Sequence, residues 1–116
     1  NFMGSLHALE HALIGIAPVV AMCSRWDLGG ISSAYFPELG SPAIFIYDGY
    51  EGGVGLSEKL YEKFDELIAI TSDIIGRCPC ENGCPSCVLS PKCGSGNQPM
   101  DKQGASLIAS MILQNP

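Results

Sequence analysis

Five of the six cysteines of this chain fall between positions 78 and 93, with the spacing C-x-C-x3-C-x2-C-x5-C. They are Cys78, Cys80, Cys84, Cys87 and Cys93. The C-x-x-C step from Cys84 to Cys87 lets two thiolates of one tight turn reach the same ion. Four thiolates around a tetrahedral Zn²⁺ form a closed site with no open position for a substrate. This segment therefore predicts one structural zinc ion per chain.

Two other uses of clustered cysteines stay open at this stage. Disulfides staple small secreted domains, but their cysteines are usually spread along the chain so that they close long loops. An iron–sulfur cluster also takes four cysteines at overlapping spacings. Thiolate softness and tetrahedral preference favour zinc, although spacing alone does not exclude iron.

Composition limits the partners of the domain. Charged residues make up 16% of the chain, whereas ordinary soluble domains carry about 25%. We therefore expect other domains of the same chain, or a partner, to cover part of the surface. The net charge of −6 argues against high-affinity nucleic-acid binding by this domain alone, because neutralising phosphates requires clustered Lys and Arg.

The same sequence suggests where the protein works. The apolar stretch 12–23 has no basic segment before it and is too short and interrupted to span a bilayer, so we expect neither a signal peptide nor a membrane contact. Clustered cysteines favour a reducing compartment, here the cytoplasm. Residues 1–116 are expected to form a single domain, a fragment of a longer chain.

Hydrophobic periodicity predicts an α/β (α+β) fold, in which about three helices flank a small sheet and the zinc loop joins the last two helices. Residues 43–47 form a continuous apolar run that predicts a central strand covered on both faces. Cys23 is placed on the first helix as a buried small hydrophobe. The predicted elements are a helix over 5–23 with a kink or break at Pro18, strands over 31–36 and 43–47, a helix over 56–77, and a last helix starting at 99 or 101.

A second candidate site is the H-x-x-E-H pattern of His7, Glu10 and His11. Two imidazoles at i and i+4 share one helix face and could hold a metal ion, with Glu10 as a base. A third ligand would come from Asp27, Asp48 or a later carboxylate. We favour the alternative of a buried polar network, in which a histidine is hydrogen-bonded to Asp27 or Asp48 and ties the first helix to the strand.

The glycine-rich stretch Gly49–Gly55 follows the apolar strand and precedes a helix. Backbone N–H groups at such a helix start can bind an anion. The stretch lacks the Gly-Lys-Ser/Thr of a nucleotide loop, and Glu51 disfavours phosphate. We therefore favour a tight turn with close packing.

Together these stretches resemble a known family, the C-terminal zinc-binding domain of DEAD/DEAH-box helicases of the mitomycin-repair type. The resemblance covers nearly the whole chain, and the cysteine segment is its most specific part. It rests on the segments 7–14, 27–30, 46–49 with 52–55, and 78–87, and the tail residues Cys93, Gly94, Asn97, Asp101 and Lys102 also fit.

The resemblance implies an accessory domain of an ATP-dependent 3′–5′ DNA helicase that acts in DNA repair. Its partners would be the motor domains of the same chain, with DNA reached through the parent protein. The domain alone would not be an enzyme. Because family members often lack a counterpart of Cys93, the implied zinc ligands are Cys78, Cys80, Cys84 and Cys87. In the rival set Cys93 replaces Cys78.

Two further functions compete with this one. The low charge content favours a protein-interaction scaffold without DNA binding of its own, and the resemblance includes modules without a motor in phage-defence systems. The third candidate is a metal-dependent hydrolase that uses His7, Glu10 and His11.

Overall fold

The fold is described by a computed structural model that covers residues 2–49, 55–85, 87–90, 93 and 95–114. In these residues four α-helices pack around one antiparallel hairpin, which confirms the α+β class. In chain order the elements are α1 (Phe2–Val20), β1 (Leu28–Phe36), β2 (Ser41–Asp48), α2 (Leu56–Glu62), α3 (Phe64–Arg77) and α4 (Lys102–Gln114), with a 3-10 turn at Arg25–Asp27 before β1.

Helix α1 is the centre of the domain. It packs against the hairpin, α3 and α4, and twelve of its nineteen residues are buried. By length and composition it could cross a membrane, but most of its apolar window is buried inside the domain, as in a soluble core helix. The helix passes through Pro18 and ends at Val20, so Cys23 lies beyond it, half-buried, and not on a helix as predicted.

The apolar run at 43–47 is not a central strand, which corrects the prediction. It belongs to β2, one of two strands in the sheet, and β1 pairs with it from Leu28↔Asp48 to Phe36↔Ser41. Ile44 and Ile46 face the core, whereas Phe45 and Tyr47 on the other face are 37% and 48% exposed. Successive side chains of a strand point to opposite faces, so the apolar run marks a strand with two apolar faces, of which the domain covers one.

The long helix predicted over 56–77 is two helices. A break at Lys63 separates α2 from α3, and the backbone there leaves helical geometry at φ −106° and ψ 22°. This lets α2 pack against β2 while α3 packs against α1 and α4. No Gly or Pro marks the break, so the sequence pattern did not reveal it.

Helix α4 lies against α1 across small residues. Asp101 caps its start, because the Gly104 N–H donates to Asp101 Oδ1 at 2.9 Å. The Asp101 N–H donates to the Gly4 carbonyl at 3.0 Å. A Cβ atom on Gly104 would lie 2.8 Å from Ser5 Cβ, closer than carbon atoms approach, so the backbone of α4 lies directly against the Ser5 side chain of α1.

We expect the change Gly104→Ala to destabilise the domain by about 1–3 kcal/mol, because the added methyl forces α1 and α4 apart. The matched control is Gly76→Ala in α3, where a Cβ would meet nothing within 4 Å; it should stabilise by about 0.5–1 kcal/mol through backbone entropy. Urea unfolding midpoints of the two variants measure the contrast. Equal stability in both would contradict the close α1–α4 packing.

Candidate metal centre

Four cysteine sulfurs converge beside the end of α3. The Sγ atoms of Cys78, Cys80, Cys84 and Cys87 all lie within 4.8 Å of one another. The closest separations are 3.3 Å for Cys78–Cys84, 3.5 Å for both Cys78–Cys80 and Cys80–Cys87, and 3.8 Å for Cys84–Cys87. A tetrahedral ion with Zn–S bonds of about 2.3 Å requires sulfurs about 3.8 Å apart. The four sulfurs therefore fit a single ion of this size.

The same distances separate the alternatives. A disulfide bond would bring two sulfurs to about 2.05 Å, and all six cysteines are free thiols. An iron–sulfur cluster holds two or more metal atoms between its cysteines, and the sulfurs here are too close together to enclose one. A mononuclear tetrahedral ion is the arrangement that fits.

Local backbone geometry explains why these four residues meet. Cys78 ends α3 and donates its N–H to the Ile74 carbonyl, so the first ligand is fixed to a helix. Gly83 has a φ of 116°, and a side chain there would meet Val88. The Cys84 carbonyl then accepts N–H bonds from Cys87 at 3.0 Å and from Val88 at 3.2 Å. The turn that joins Cys84 to Cys87 is thus set by its own hydrogen bonds.

Lys102 connects the cysteine loop to α4. Its Nζ donates to the carbonyls of Cys78 and Cys80, and lies 3.2 Å from Cys80 Sγ. The side chain is buried, where a cation needs compensating negative charge. Four thiolates around Zn²⁺ carry a net charge of −2, so Lys102 sits where it neutralises part of the site. The sequence placed Lys102 only within the resembling tail, and its position as the one charged residue of α4 is the signal that points to it.

Lys102 and burial set the protonation of the thiols before metal binds. Burial acts to raise the pKa of Cys80, but the hydrogen bond from Lys102 and those with the neighbouring thiols of Cys78, Cys87 and Cys84 together outweigh it and lower the pKa to about 6. Burial raises the pKa of Cys87 to about 12. For Cys78, a backbone hydrogen bond acts to lower the pKa, but the neighbouring thiols of Cys84 and Cys80 leave it raised. At neutral pH Cys80 is thus a thiolate while Cys78 and Cys87 carry protons.

A family model matches residues 9–88, which is most of the chain and includes all four of these cysteines. Its description is MrfA Zn-binding domain. The chain belongs to this family. Zinc is accordingly its cofactor, and the four-sulfur cluster is consistent with one structural ion.

Individual relatives agree with the family. A protein of Methanocaldococcus jannaschii is 39% identical over 93% of this chain and 99% of its own length. The ATP-dependent helicase YprA of Bacillus subtilis is 38% identical over 74% of this chain, and the ATP-dependent helicase hrq1 of Schizosaccharomyces pombe is 33% identical over 97%. The chain spans only 11% and 12% of those two helicases.

Two solved structures that resemble this chain are both of the helicase MrfA. A crystal structure of the helicase MrfA bound to DNA matches 94% of this chain with a TM-score of 0.76 and 31% identity. A second, of MrfA bound to DNA and AMPPNP, matches 90% with a TM-score of 0.71 and 32% identity. In both, the matched part is 14% of the helicase chain.

The fifth clustered cysteine lies apart from the other four in this MrfA-type domain. Cys93 Sγ is 3.5 Å from His7 Nε2, and it groups with His7 and His11. The structure thus brings Cys78 into the four-sulfur cluster and Cys93 to the histidines. The assignment of the zinc ligands to Cys78, Cys80, Cys84 and Cys87 stays a prediction that metal analysis can test.

The predicted polar network is only partly assembled. The imidazoles of His7 and His11 meet edge to face with centroids 4.3 Å apart. Glu10 is buried beside β1; burial raises its pKa, against a hydrogen bond from Ser32 and the charge of His7. Both histidines are hydrogen-bonded to backbone carbonyls, His7 to Pro99 and His11 to Val88.

Asp27 and Asp48 have local roles. Asp27 Oδ2 accepts from the Ser24 N–H at 2.7 Å in the capping box of the 3-10 turn. Asp48 accepts from the N–H groups of Gly55 at 3.0 Å and Ser57 at 2.8 Å. Asp48 thereby occupies the start of α2, where the anion site was considered. Residues 50–54 of that glycine stretch lie outside the described residues.

Zinc affinity should rise steeply with pH near neutrality. Binding must displace protons from Cys78 and Cys87, and each displaced proton gives about a tenfold gain in apparent affinity per pH unit, so we expect at least about 100-fold between pH 6.5 and 7.5. Chelator competition at both pH values, with a chelator of known protonation, measures the change. An affinity independent of pH would contradict the protonation states derived above.

Proposed function

We propose that this chain is the structural-zinc accessory domain of an ATP-dependent 3′–5′ DNA helicase that acts in DNA repair. The observation that carries the proposal is the match, at 31% identity and a TM-score of 0.76, to part of the helicase MrfA bound to DNA. ATP hydrolysis would belong to the motor domains, because this segment contains no nucleotide-binding loop motif. The domain would support docking on the motor and the path of the DNA.

The outer face of the hairpin is the surface we assign to the motor domains. Ile31 and Phe45 are cross-strand partners on this face, and Ile31 is 55% exposed. Tyr47 lies beside them and covers Gly29. A sheet face of this kind normally packs against another layer. In helicase relatives about nine-tenths of the chain lies outside this domain, which supplies such a layer.

Charge supports docking over direct DNA binding by the domain. With a net charge of −6 and six basic residues, the domain offers little to neutralise phosphates. Any contribution to the DNA path would then come through the position of the motor domains. A reducing, cytoplasmic compartment is part of the proposal, and the six free thiols support it.

The test is DNA unwinding by the full helicase chain that carries this domain, with the variant Phe45→Asp. We expect unwinding to fall at least tenfold while zinc content stays unchanged, because the charge blocks the apolar contact and leaves the metal loop intact. Met22→Asp, on a fully exposed side chain after α1, is the matched control. Unwinding by Phe45→Asp at the rate of this control would reject the docking role.

A protein-interaction module is the second candidate. One relative, from Methanocaldococcus jannaschii, is matched over 99% of its length, so the module occurs without a motor in the same chain. DNA unwinding by the motor with and without the domain, together with a salt titration of DNA binding by the domain, separates the two functions. Absent DNA binding by the domain, together with a motor that unwinds equally well without it, would favour partner recognition.

A further inference from the structure

A polar cavity of about 440 Å³ lies between α1, the hairpin and the loop after the cysteine cluster. His7 and His11 reach it from successive turns of α1, and Cys93 reaches it from the loop. One ligand atom from each of these three residues lies within 4.8 Å of the others. The group is separate from the four-sulfur cluster, because it shares no residue with it.

Hydrogen bonds orient both imidazoles toward one another and toward the thiol. His7 Nδ1 lies 2.7 Å from the Pro99 carbonyl and His11 Nδ1 lies 2.8 Å from the Val88 carbonyl. A carbonyl only accepts, so each Nδ1 carries the proton and donates it. In a neutral imidazole this leaves the Nε2 lone pair free. Metal-binding histidines are held in this way, with the second nitrogen donating to a carbonyl or carboxylate.

The spacing of the donor atoms matches a zinc coordination sphere. Zn–N bonds of about 2.05 Å and Zn–S bonds of about 2.3 Å at a tetrahedral angle place nitrogen and sulfur about 3.6 Å apart. The observed distance from His7 Nε2 to Cys93 Sγ is 3.5 Å. Ser95 Oγ lies 3.2 Å from Cys93 Sγ and donates its own proton to the Gln98 carbonyl at 2.7 Å, so it accepts from the Cys93 thiol in the metal-free protein.

We infer that His7 Nε2, His11 Nε2 and Cys93 Sγ form a second metal site that binds Zn²⁺, with the fourth coordination position open to the cavity. Two imidazoles and one thiolate suit an ion of borderline softness. Three protein ligands with a solvent position distinguish this site from the closed four-sulfur site. Glu10 and Arg25 line the same cavity, so a zinc-bound water or small anion would meet a carboxylate and a guanidinium.

The sequence pattern of His7, Glu10 and His11 predicts a carboxylate as the third metal ligand. The structure instead supplies Cys93, which lies 86 residues from His7 in the chain. The Asn97 side chain is a further neighbour of His11. Binding of the ion through Nε2 would leave the Nδ1 bond to Val88 in place.

Metal content of the reconstituted, desalted protein tests the site, with Zn²⁺ as the probe. We expect two zinc ions per chain in the wild type and one in Cys93→Ser and in His11→Ala. Cys23→Ser is the matched control, since Cys23 is also a half-buried free thiol and belongs to neither group; it should keep two. One ion per chain in the wild type, unchanged in Cys93→Ser, overturns the proposal and leaves the polar network as the role of these residues.

Cobalt spectroscopy keeps the test independent of folding. His11 is hydrogen-bonded to the Val88 carbonyl of the loop, so metal loss in His11→Ala can result from local unfolding. Cys93→Ser keeps the hydrogen bonds of His7 to Pro99 and of His11 to Val88. The second equivalent of Co²⁺ should give a single-thiolate charge-transfer band that Cys93→Ser lacks, while the more intense four-thiolate band persists. Loss of both bands together in a folded Cys93→Ser protein would contradict two independent sites.

Discussion

Replacing Cys84 with serine should remove the zinc ion of the four-sulfur cluster and unfold residues 78–101 with it, which also separates Cys93 from the histidines. In the described part of this segment only Cys87 and Val88 are buried among its apolar residues, and no helix or strand is present there. Apolar burial therefore contributes little to its order. Structural zinc in small finger peptides binds with an apparent free energy of about 10–16 kcal/mol, which is also folding free energy.

The loss should exceed about 4 kcal/mol in the free energy of unfolding, a large part of the 5–15 kcal/mol typical of a domain. Metal analysis and thermal unfolding measure the two effects, and hydrogen exchange shows whether residues 78–101 lose protection first. Cys23→Ser is the control, and we expect it to keep the metal and its stability within about 1 kcal/mol. Full cooperative stability in the presence of a strong chelator would refute the structural role of zinc.

Replacing Lys102 with methionine should give the second-largest effect. The change keeps the length of the side chain but removes the cation that donates to the carbonyls of Cys78 and Cys80 and contacts Cys80 Sγ. Two carbonyls then lose their donor, and the charge of the thiolates is no longer compensated. We expect a loss of about 2–4 kcal/mol in stability and a zinc affinity about 10–100-fold weaker.

Denaturant unfolding and chelator competition measure these two quantities. The matched control is Lys59→Met on α2, where the lysine is exposed and the change should cost less than about 0.5 kcal/mol. The altered charge near the sulfurs also predicts that Lys102→Met raises the pKa of Cys80, so its zinc affinity should fall more steeply at low pH. Unchanged zinc affinity in Lys102→Met would exclude charge compensation by this residue.

Much of the fold follows from local pattern. The stripe of apolar residues along α1 predicts a buried helix without reference to the rest of the chain. The hydrophobic pattern gave wrong predictions where packing against the rest of the domain sets the local structure. The apolar run of β2 reads as a doubly covered strand, but Phe45 and Tyr47 face away from the core, and the break at Lys63 carries no turn residue.

The sequence by itself determined that a cysteine segment suited to zinc lies between positions 78 and 93, because the C-x-x-C step and its neighbours are close in the chain, but it left Cys78 and Cys93 as rivals for the fourth position. It also identified the H-x-x-E-H turn of α1, whose geometry is fixed by the helix. Only the tertiary structure decided the partners of these features. Cys93 reached His7, and Lys102 reached Cys80, because α1 and α4 pack against the loop that carries the cysteines. Such contacts depend on how helices, strands and loops pack against one another, which the spacing of residues within one segment does not predict.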